Sequence, residues 1–224
     1  MKIAALSLFI SLFIPHPSSL IPSSFPSLAQ ASELESLISK IESRYGRMRG
    51  LAAEFEQTYS APGMRERRER GRLVLGRPRR MRWEYDPKPG KLFIVNGRDV
   101  WFYVPADREA THADLNDVSD ARFPFLFLLG QTNLRREFRS ITLADGGAQA
   151  ETRTLRLIPR TASTGLREVS LEVYTDGRIL KVKMWDEAGA VSEVTLMNVR
   201  EDYIAPANAF EFRPPPGVTV RRQR

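Results

Sequence analysis

The chain has 224 residues, with 34 Lys+Arg against 27 Asp+Glu, a formal charge of +7 and no cysteine. Disulfides, thiolate nucleophiles and cysteine-ligated metals are therefore excluded. The basic balance leaves acidic partners, membrane surfaces and nucleic acid as classes to test.

The first residues carry a targeting pattern. Met1-Lys2 is a minimal positive start, Ile3 to Ile14 is apolar apart from serines, and Pro15 to Leu28 is rich in Pro and Ser. Ala29-Gln30-Ala31 then offers a small-x-small cleavage site. Residues 1–31 are expected to be a secretory signal peptide, and 32–224 a single domain of 193 residues. The apolar run is short for a bilayer span. The long spacer behind it also fits a lipid-facing anchor or a mis-assigned start codon. Without cysteine, the chain cannot itself be lipid-modified as a lipoprotein.

Leu34, Leu37, Ile38, Ile41, Tyr45 and Met48 recur at helical spacing, which predicts an amphipathic helix over Glu33 to Met48 with Ser32 as N-cap. After Gly50 the period changes to two: Leu51, Ala53, Phe55 and Gln57 share one strand face, and Glu54, Glu56 and Thr58 the other. Ala61-Pro62-Gly63 turns the chain. Strands are expected at Arg70 to Gly76, Met81 to Tyr85, Leu92 to Val95 and Val100 to Val104, the last two flanking the hairpin signal Asn96-Gly97. A short strand at Glu109 to Ala113 follows. Further strands are expected at Phe138 to Leu143, Thr154 to Pro159, Val169 to Tyr174, Ile179 to Trp185 and Val191 to Val199, with Asp176-Gly177 as a second tight turn. Phe210 to Phe212 completes ten or eleven strands, before Pro214-Pro215-Pro216-Gly217 and a Val218 to Val220 extension.

One stretch breaks the alternation. Phe123-Pro124-Phe125-Leu126-Phe127-Leu128-Leu129 is apolar on all sides, preceded by Ser119 and Asp120 and followed by Gly130. Those neighbours suit a cap and a C′ glycine, which predicts a helix of about two turns. Such a helix is either an ordinary core element, for which a central strand is the alternative, or a flap over an apolar hollow. Many antiparallel strands, one long helix and one short apolar helix suggest a strongly curved sheet or open barrel with the helices on its concave side.

Catalytic chemistry is sparse. His16 lies in the targeting segment, so His112 is the histidine that a Ser-His-Asp hydrolase would have to use, and no nucleophile-elbow motif accompanies it. Asp114-Leu115-Asn116-Asp117 lacks the glycine and closing glutamate of a calcium loop. No phosphate loop or dinucleotide fingerprint is present. No enzyme activity, metal or cofactor is expected. Arg65, Arg67, Arg68, Arg70 and Arg72, and then Arg77, Arg79, Arg80 and Arg82, are interrupted by Glu66, Glu69 and Glu84. No aromatic residue stands between Tyr59 and Trp83 to stack on bases, so nucleic acid is not expected as a partner.

Several landmarks occur in a shared order: Phe55-Glu56-Gln57, Arg77-Pro78 with Met81 and Trp83, Trp101-Phe102-Tyr103 with Pro105, Pro124-Phe125-Leu126, and Phe210-Glu211-Phe212 before Pro214 to Val220. With these, the chain from about Leu34 to Val220 resembles the LolA-type outer-membrane lipoprotein carrier proteins of the bacterial periplasm. The resemblance implies an incomplete antiparallel β-barrel closed by an N-terminal helix and a short lid helix. It also implies a periplasmic monomer that carries acylated lipoproteins from an inner-membrane lipoprotein-releasing transporter to an outer-membrane receptor. Arg77 matches the family arginine that holds the lid shut through main-chain carbonyls. Phe123, Phe125, Leu126, Leu128 and Leu129 would form the lid. Leu51, Phe55, Leu73, Leu75, Met81, Trp83, Leu92, Ile94 and Phe102 would form the acyl-cavity wall. Met81 stands where the family often has a bulky aromatic, and the Arg65 to Arg72 stretch is more basic than the family needs. A periplasmic sensing or adaptor module with the same curved sheet, binding a regulatory protein, is the competing reading.

Overall fold

The structure, a computed structural model, describes residues 28–117, 133–144, 151–160 and 165–223. Helix α1 spans Leu28–Arg47 and buries Leu37, Ile38, Ile41 and Tyr45, the stripe expected from their spacing. It already includes Leu28, ahead of the expected Glu33, so it takes in residues placed before the expected cleavage site. Arg44 and Arg47 in the last turn complement the negative end of the helix dipole. Gly50 then lets the chain enter the sheet at close quarters. A Cβ there would lie 2.2 Å from the Tyr203 carbonyl oxygen and 2.8 Å from that of Leu75.

Six strands follow in a meander: β1 Gly50–Ser60, β2 Arg67–Gly76, β3 Arg80–Tyr85, β4 Leu92–Asn96, β5 Asp99–Val104 and β6 Glu109–Asp114. After the short helix α2, Leu134–Glu137, a second meander comprises β7 Phe138–Ala144, β8 Thr152–Pro159, β9 Leu166–Tyr174, β10 Ile179–Asp186 and β11 Val191–Glu201. Strand β1 joins the two meanders by pairing with β11 as well as β2, with a register shift between Ala52 and Glu54. A last strand, β12, spans Thr219–Arg222. The result is one sheet in the order β12-β6-β5-β4-β3-β2-β1-β11-β10-β9-β8-β7. It is curved and open, because its edges, β12 and β7, do not pair with each other. The expected fold, mainly β with an open barrel-like sheet and an N-terminal helix, is the one observed.

Two details differ from the expectation. Phe210 to Phe212 is not a strand: Ala207–Phe210 is a 3₁₀ turn packed against β3 and β4. Strand β12 pairs parallel to β6, where an all-antiparallel sheet was expected. The chain after β11 crosses the outer face of the sheet and reaches β6 from behind, so its last strand runs alongside β6 rather than folding back from it.

Side chains alternate between two faces. On the concave face, residues from α1 and both meanders form one apolar core, including Ile41, Tyr45, Phe55, Trp83, Leu155, Leu171 and Val182. On the convex face of β4 and β5, Phe212 packs on Trp101 and Tyr103, with ring centroids 5.4 and 5.3 Å apart. Phe210 is 2% exposed and lies over Gly76, where a Cβ would approach its ring to 2.8 Å. The landmark aromatics of the C-terminal segment thus form a strap over the back of the sheet.

Candidate functional site

Strand pairing lines up the concave side chains into continuous rows. Leu51, Leu75, Met81, Val95, Val100 and Ala113 stand opposite one another on six adjacent strands. The next row contains Ala53, Leu73, Trp83, Phe93, Phe102 and Thr111. Across the β1–β11 seam, Gln57 continues into Val194, Val182, Leu171, Leu155 and Leu143. The Phe55 ring packs against Trp83 and Tyr85, with centroids 4.7 and 5.2 Å away. Gly71, opposite both Phe55 and Tyr85, lets β2 and β3 approach so closely that a Cβ would fall 1.9 Å from the Glu84 oxygen.

Seven of the nine residues expected to form the wall are on this face: Leu51, Phe55, Leu73, Leu75, Met81, Trp83 and Phe102. All except the half-buried Phe102 are buried. Leu92 and Ile94 are not on this face. Leu92 stands in a convex row with Glu84 and Tyr103, and Ile94 in one with Arg82 and Trp101. Phe93 and Val95 take their places. Leu92-Phe93-Ile94-Val95 is apolar at every position, so alternation within it assigns no face; only pairing with Trp83 and Met81 does. Ile94 is nevertheless buried, on the side where the strap crosses.

The interior also contains polar groups that the periodicity did not single out. The Tyr85 hydroxyl donates to Gln57 Oε1 at 2.8 Å, and Gln57 Nε2 donates to Ser192 Oγ at 2.9 Å. All three side chains are buried. Phe55-Glu56-Gln57 therefore places an aromatic and an amide side by side in the concave floor. Only the tertiary partners Tyr85 and Ser192 show why an amide can be buried there.

Arg77 sits in the turn between β2 and β3, where its N–H donates to the Arg49 carbonyl at 3.1 Å. Its guanidinium is half-buried and donates through Nη2 to the main-chain carbonyl of Tyr45, in the last turn of α1. Burial moves the guanidinium below its ordinary pKa, but arginine keeps its charge. Arg77 thus bonds to a main-chain carbonyl, and the described acceptor belongs to α1. The expected lid residues Phe123, Phe125, Leu126, Leu128 and Leu129 lie outside the described residues. The row Arg80, Asn96, Asp99 and Asp114 puts the Arg77 turn at the same end of the sheet as the last described residues before that stretch. After it, Leu134 is buried and its N–H donates to Glu42 Oε1 on α1 at 2.7 Å.

Tyr45 links the same helix to the other meander, since its hydroxyl accepts from the Ile179 N–H at 2.9 Å. Burial pushes its phenol pKa up to about 12, against the opposing pull of that hydrogen bond. A cleft of about 470 Å³ lies beside the outer side of α1, lined by Lys40, Arg44, Arg47, Asp176, Glu201 and neighbours. It is polar and lies apart from the concave rows. Arg44 spans it, with Nη1 2.6 Å from a Glu201 oxygen.

His112 is on the convex face, where it bonds Asp99 through Nε2 at 2.8 Å and stacks on Trp101 with centroids 4.3 Å apart. These contacts are structural partners for the ring, and none supplies the nucleophile that a hydrolase would need.

A family profile described as "Outer membrane lipoprotein carrier protein LolA" matches residues 47–213. The outer-membrane lipoprotein carrier protein of Edwardsiella ictaluri is 27% identical over 198 residues, covering 88% of this chain and 93% of that protein. The carrier of Pseudomonas paraeruginosa is 29% identical over 195 residues, covering 87% and 91%. A crystal structure of a conserved protein from Thermus thermophilus superposes with a TM-score of 0.52 at 14% identity, covering 84% of this chain and 98% of that one. That likeness concerns the fold. No helix among the described residues is long and apolar enough to cross a membrane. The matched span holds the concave rows, the Arg77 turn and the aromatic strap, and the chain belongs to the LolA family of outer-membrane lipoprotein carrier proteins.

Proposed function

We propose that this protein is a periplasmic carrier that takes the acyl chains of lipoproteins against its concave face. In this reading it receives cargo from an inner-membrane transporter, delivers it to an outer-membrane receptor, and works as a monomer. The observation that supports it most is the coincidence of the family match with an apolar face continuous across both meanders. Such a face, once uncovered, would offer a hydrocarbon chain an apolar surface to lie against.

Phe55, Trp83 and Met81 are fully buried, so loading has to displace whatever covers them. That requirement is useful in a carrier. Burying an acyl chain is worth about 0.8 kcal/mol per methylene, which by itself favours retention. Re-covering the emptied face returns roughly 1.5–3 kcal/mol per fully buried apolar side chain, which favours release. When the two totals are close, a partner can tip the balance in either direction. The cover in this reading is the Phe123 to Leu129 stretch. Arg77 is the latch, tying the turn beneath that end of the sheet to main-chain carbonyls. A donor-only, permanently charged fork suits that role.

Mass spectrometry of material co-purifying with the exported protein tests the reading. Triacylated lipoproteins should be recovered, and Arg77→Leu should raise their yield by weakening the closed state. Protein that emerges free of acylated material in both forms, at normal stability, would sink the carrier reading. Recovery of a signalling protein without acyl cargo would favour the adaptor alternative.

A further inference from the structure

Strand β2 is longer than its neighbour β3. Gly71 to Gly76 pair with β3, whereas Arg67 to Arg70 pair with β1 and have no strand on their other side. The end of the β1–β2 hairpin therefore leaves an open β2 edge of about four residues, roughly 13 Å, on the β3 side. On its inner side it is stiffened by β11, which pairs as far as Ser60 with Val191.

The charges on this arm are unusually uncommitted. Arg68 pairs with Glu66 at 3.0 Å, and Glu69 is taken by Lys91. Arg72 stands across from Glu54 and Glu84, but Glu54 accepts from Asn198, and Glu84 is engaged by Arg82 and Lys88. Among the described residues, Arg65, Arg67, Arg70 and Arg72 make no ion pair, and all four are exposed. Met64, at the tip, is 47% exposed.

Protection of an open edge explains part of this, because charged side chains deter edge-to-edge pairing. It does not explain Arg70 and Arg72, which project from the convex face, or an apolar side chain at the tip. We propose that the β1–β2 arm is a docking surface for an anionic lipid bilayer. Its arginines would grip headgroup phosphates in two-pronged fashion, and Met64 would enter the interface. A protein partner is the less favoured occupant. Protein interfaces centre on several aromatic and apolar anchors, and this arm carries only Met64 and the partly buried Tyr59 among its charged residues. The inference goes beyond the carrier reading and does not depend on it, since a chain that bound no acyl cargo would still carry the arm.

Co-sedimentation of the exported, processed protein with lipid vesicles tests the proposal. Vesicles of phosphatidylcholine containing about one-third phosphatidylglycerol should retain the protein near 0.1 M salt and release it near 0.5 M, where screening is stronger. Pure phosphatidylcholine vesicles should not bind it. Each exposed arginine contributes about fivefold to partitioning on an anionic surface, so Arg70→Ser/Arg72→Ser, which share the convex face, should weaken binding about 25-fold. Met64→Ser should weaken it only a few-fold and keep the lipid preference. These substitutions are exposed, and an unchanged thermal melt confirms that folding is intact. Absent binding to anionic vesicles, equal binding to both compositions, or full binding by the double variant would overturn the proposal. Retention on polyglutamate without vesicle binding would assign the arm to an acidic protein instead, and would equally overturn it.

Discussion

The Arg77 guanidinium donates to the main-chain carbonyl of Tyr45, tying the β2–β3 turn to the last turn of α1. Tyr45 is in turn bonded through its hydroxyl to the Ile179 N–H on β10. Three parts of the fold that are far apart in sequence therefore meet at one helical turn: the first meander, the helix and the second meander. A change at Arg77 is expected to be felt at the helix end as well as at any cover over the concave face.

Arg77→Leu is expected to lose a charge-assisted hydrogen bond worth about 1.5 kcal/mol, the lower end of the usual range because the group is half-exposed. The protein should remain folded, with a melting temperature a few degrees lower by calorimetry. Arg77→Lys should recover part of the loss, because it keeps the charge without the fork. A change in melting temperature too small to measure would mean that the bond to Tyr45 adds nothing to stability.

Tyr45 makes stability fall at high pH. Its phenol ionises near 12 in the folded protein and near 10 when exposed in the unfolded chain. The contribution is intact below pH 10 and lost as pH rises towards 12, because the unfolded state gives up its proton first. The total is about 2–3 kcal/mol. Denaturation curves of wild type and Tyr45→Phe, recorded between pH 9 and 12, should differ in slope, with the variant flatter. The variant should also be weaker at neutral pH by about 1 kcal/mol, since the Ile179 N–H loses its acceptor.

The buried chain from Tyr85 through Gln57 to Ser192 predicts non-additive substitutions. Gln57→Leu removes the acceptor of the Tyr85 hydroxyl and a donor to Ser192, at about 2–4 kcal/mol. Adding Tyr85→Phe and Ser192→Ala should restore part of this, because these two groups are then no longer left without their Gln57 partner. Chemical denaturation of the single and triple variants measures the difference. Equal losses in both would show that volume, not hydrogen bonding, matters at this position.

Gly76 and Phe210 test the strap on the convex face. Gly76→Ala pushes a methyl group to within 2.8 Å of the Phe210 ring, and should cost about 1–3 kcal/mol through overpacking. Phe210→Ala empties a site that is 2% exposed and should cost about 3–5 kcal/mol. In the double variant the clash term disappears, so the total should be smaller than the sum, as thermal melts can establish.

Most of the local structure could be read from residue order. The spacing of Leu37, Ile41 and Tyr45 marks α1, the signal Asn96-Gly97 marks the end of β4 and the start of its turn into β5, and Asp176-Gly177 falls in the β9–β10 turn. Alternation at Phe55, Met81 and Trp83 assigns those side chains to the concave face correctly, because charged neighbours occupy the other face. Such patterns are legible because each depends on a repeat within one element.

Other features depended on partners far away in the chain. The continuous apolar strand β4 has no internal marker of which side is in, and pairing with β3 placed Phe93 and Val95 inward and Leu92 and Ile94 outward. Phe210 and Phe212 look like strand residues until the strap carries them across the back of the sheet. Gln57 shares its face with apolar residues, and its amide finds partners in Tyr85 and Ser192, both distant in sequence. Periodicity by itself thus determined a helix, many strands and one consistently apolar face. Tertiary pairing decided which face two of the wall residues occupy, what the last segment covers and where Arg77 finds an acceptor. The physical reason is that propensity and alternation act between neighbours in sequence, whereas register, burial of polar groups and hydrogen bonds to distant carbonyls are settled only when separate strands meet.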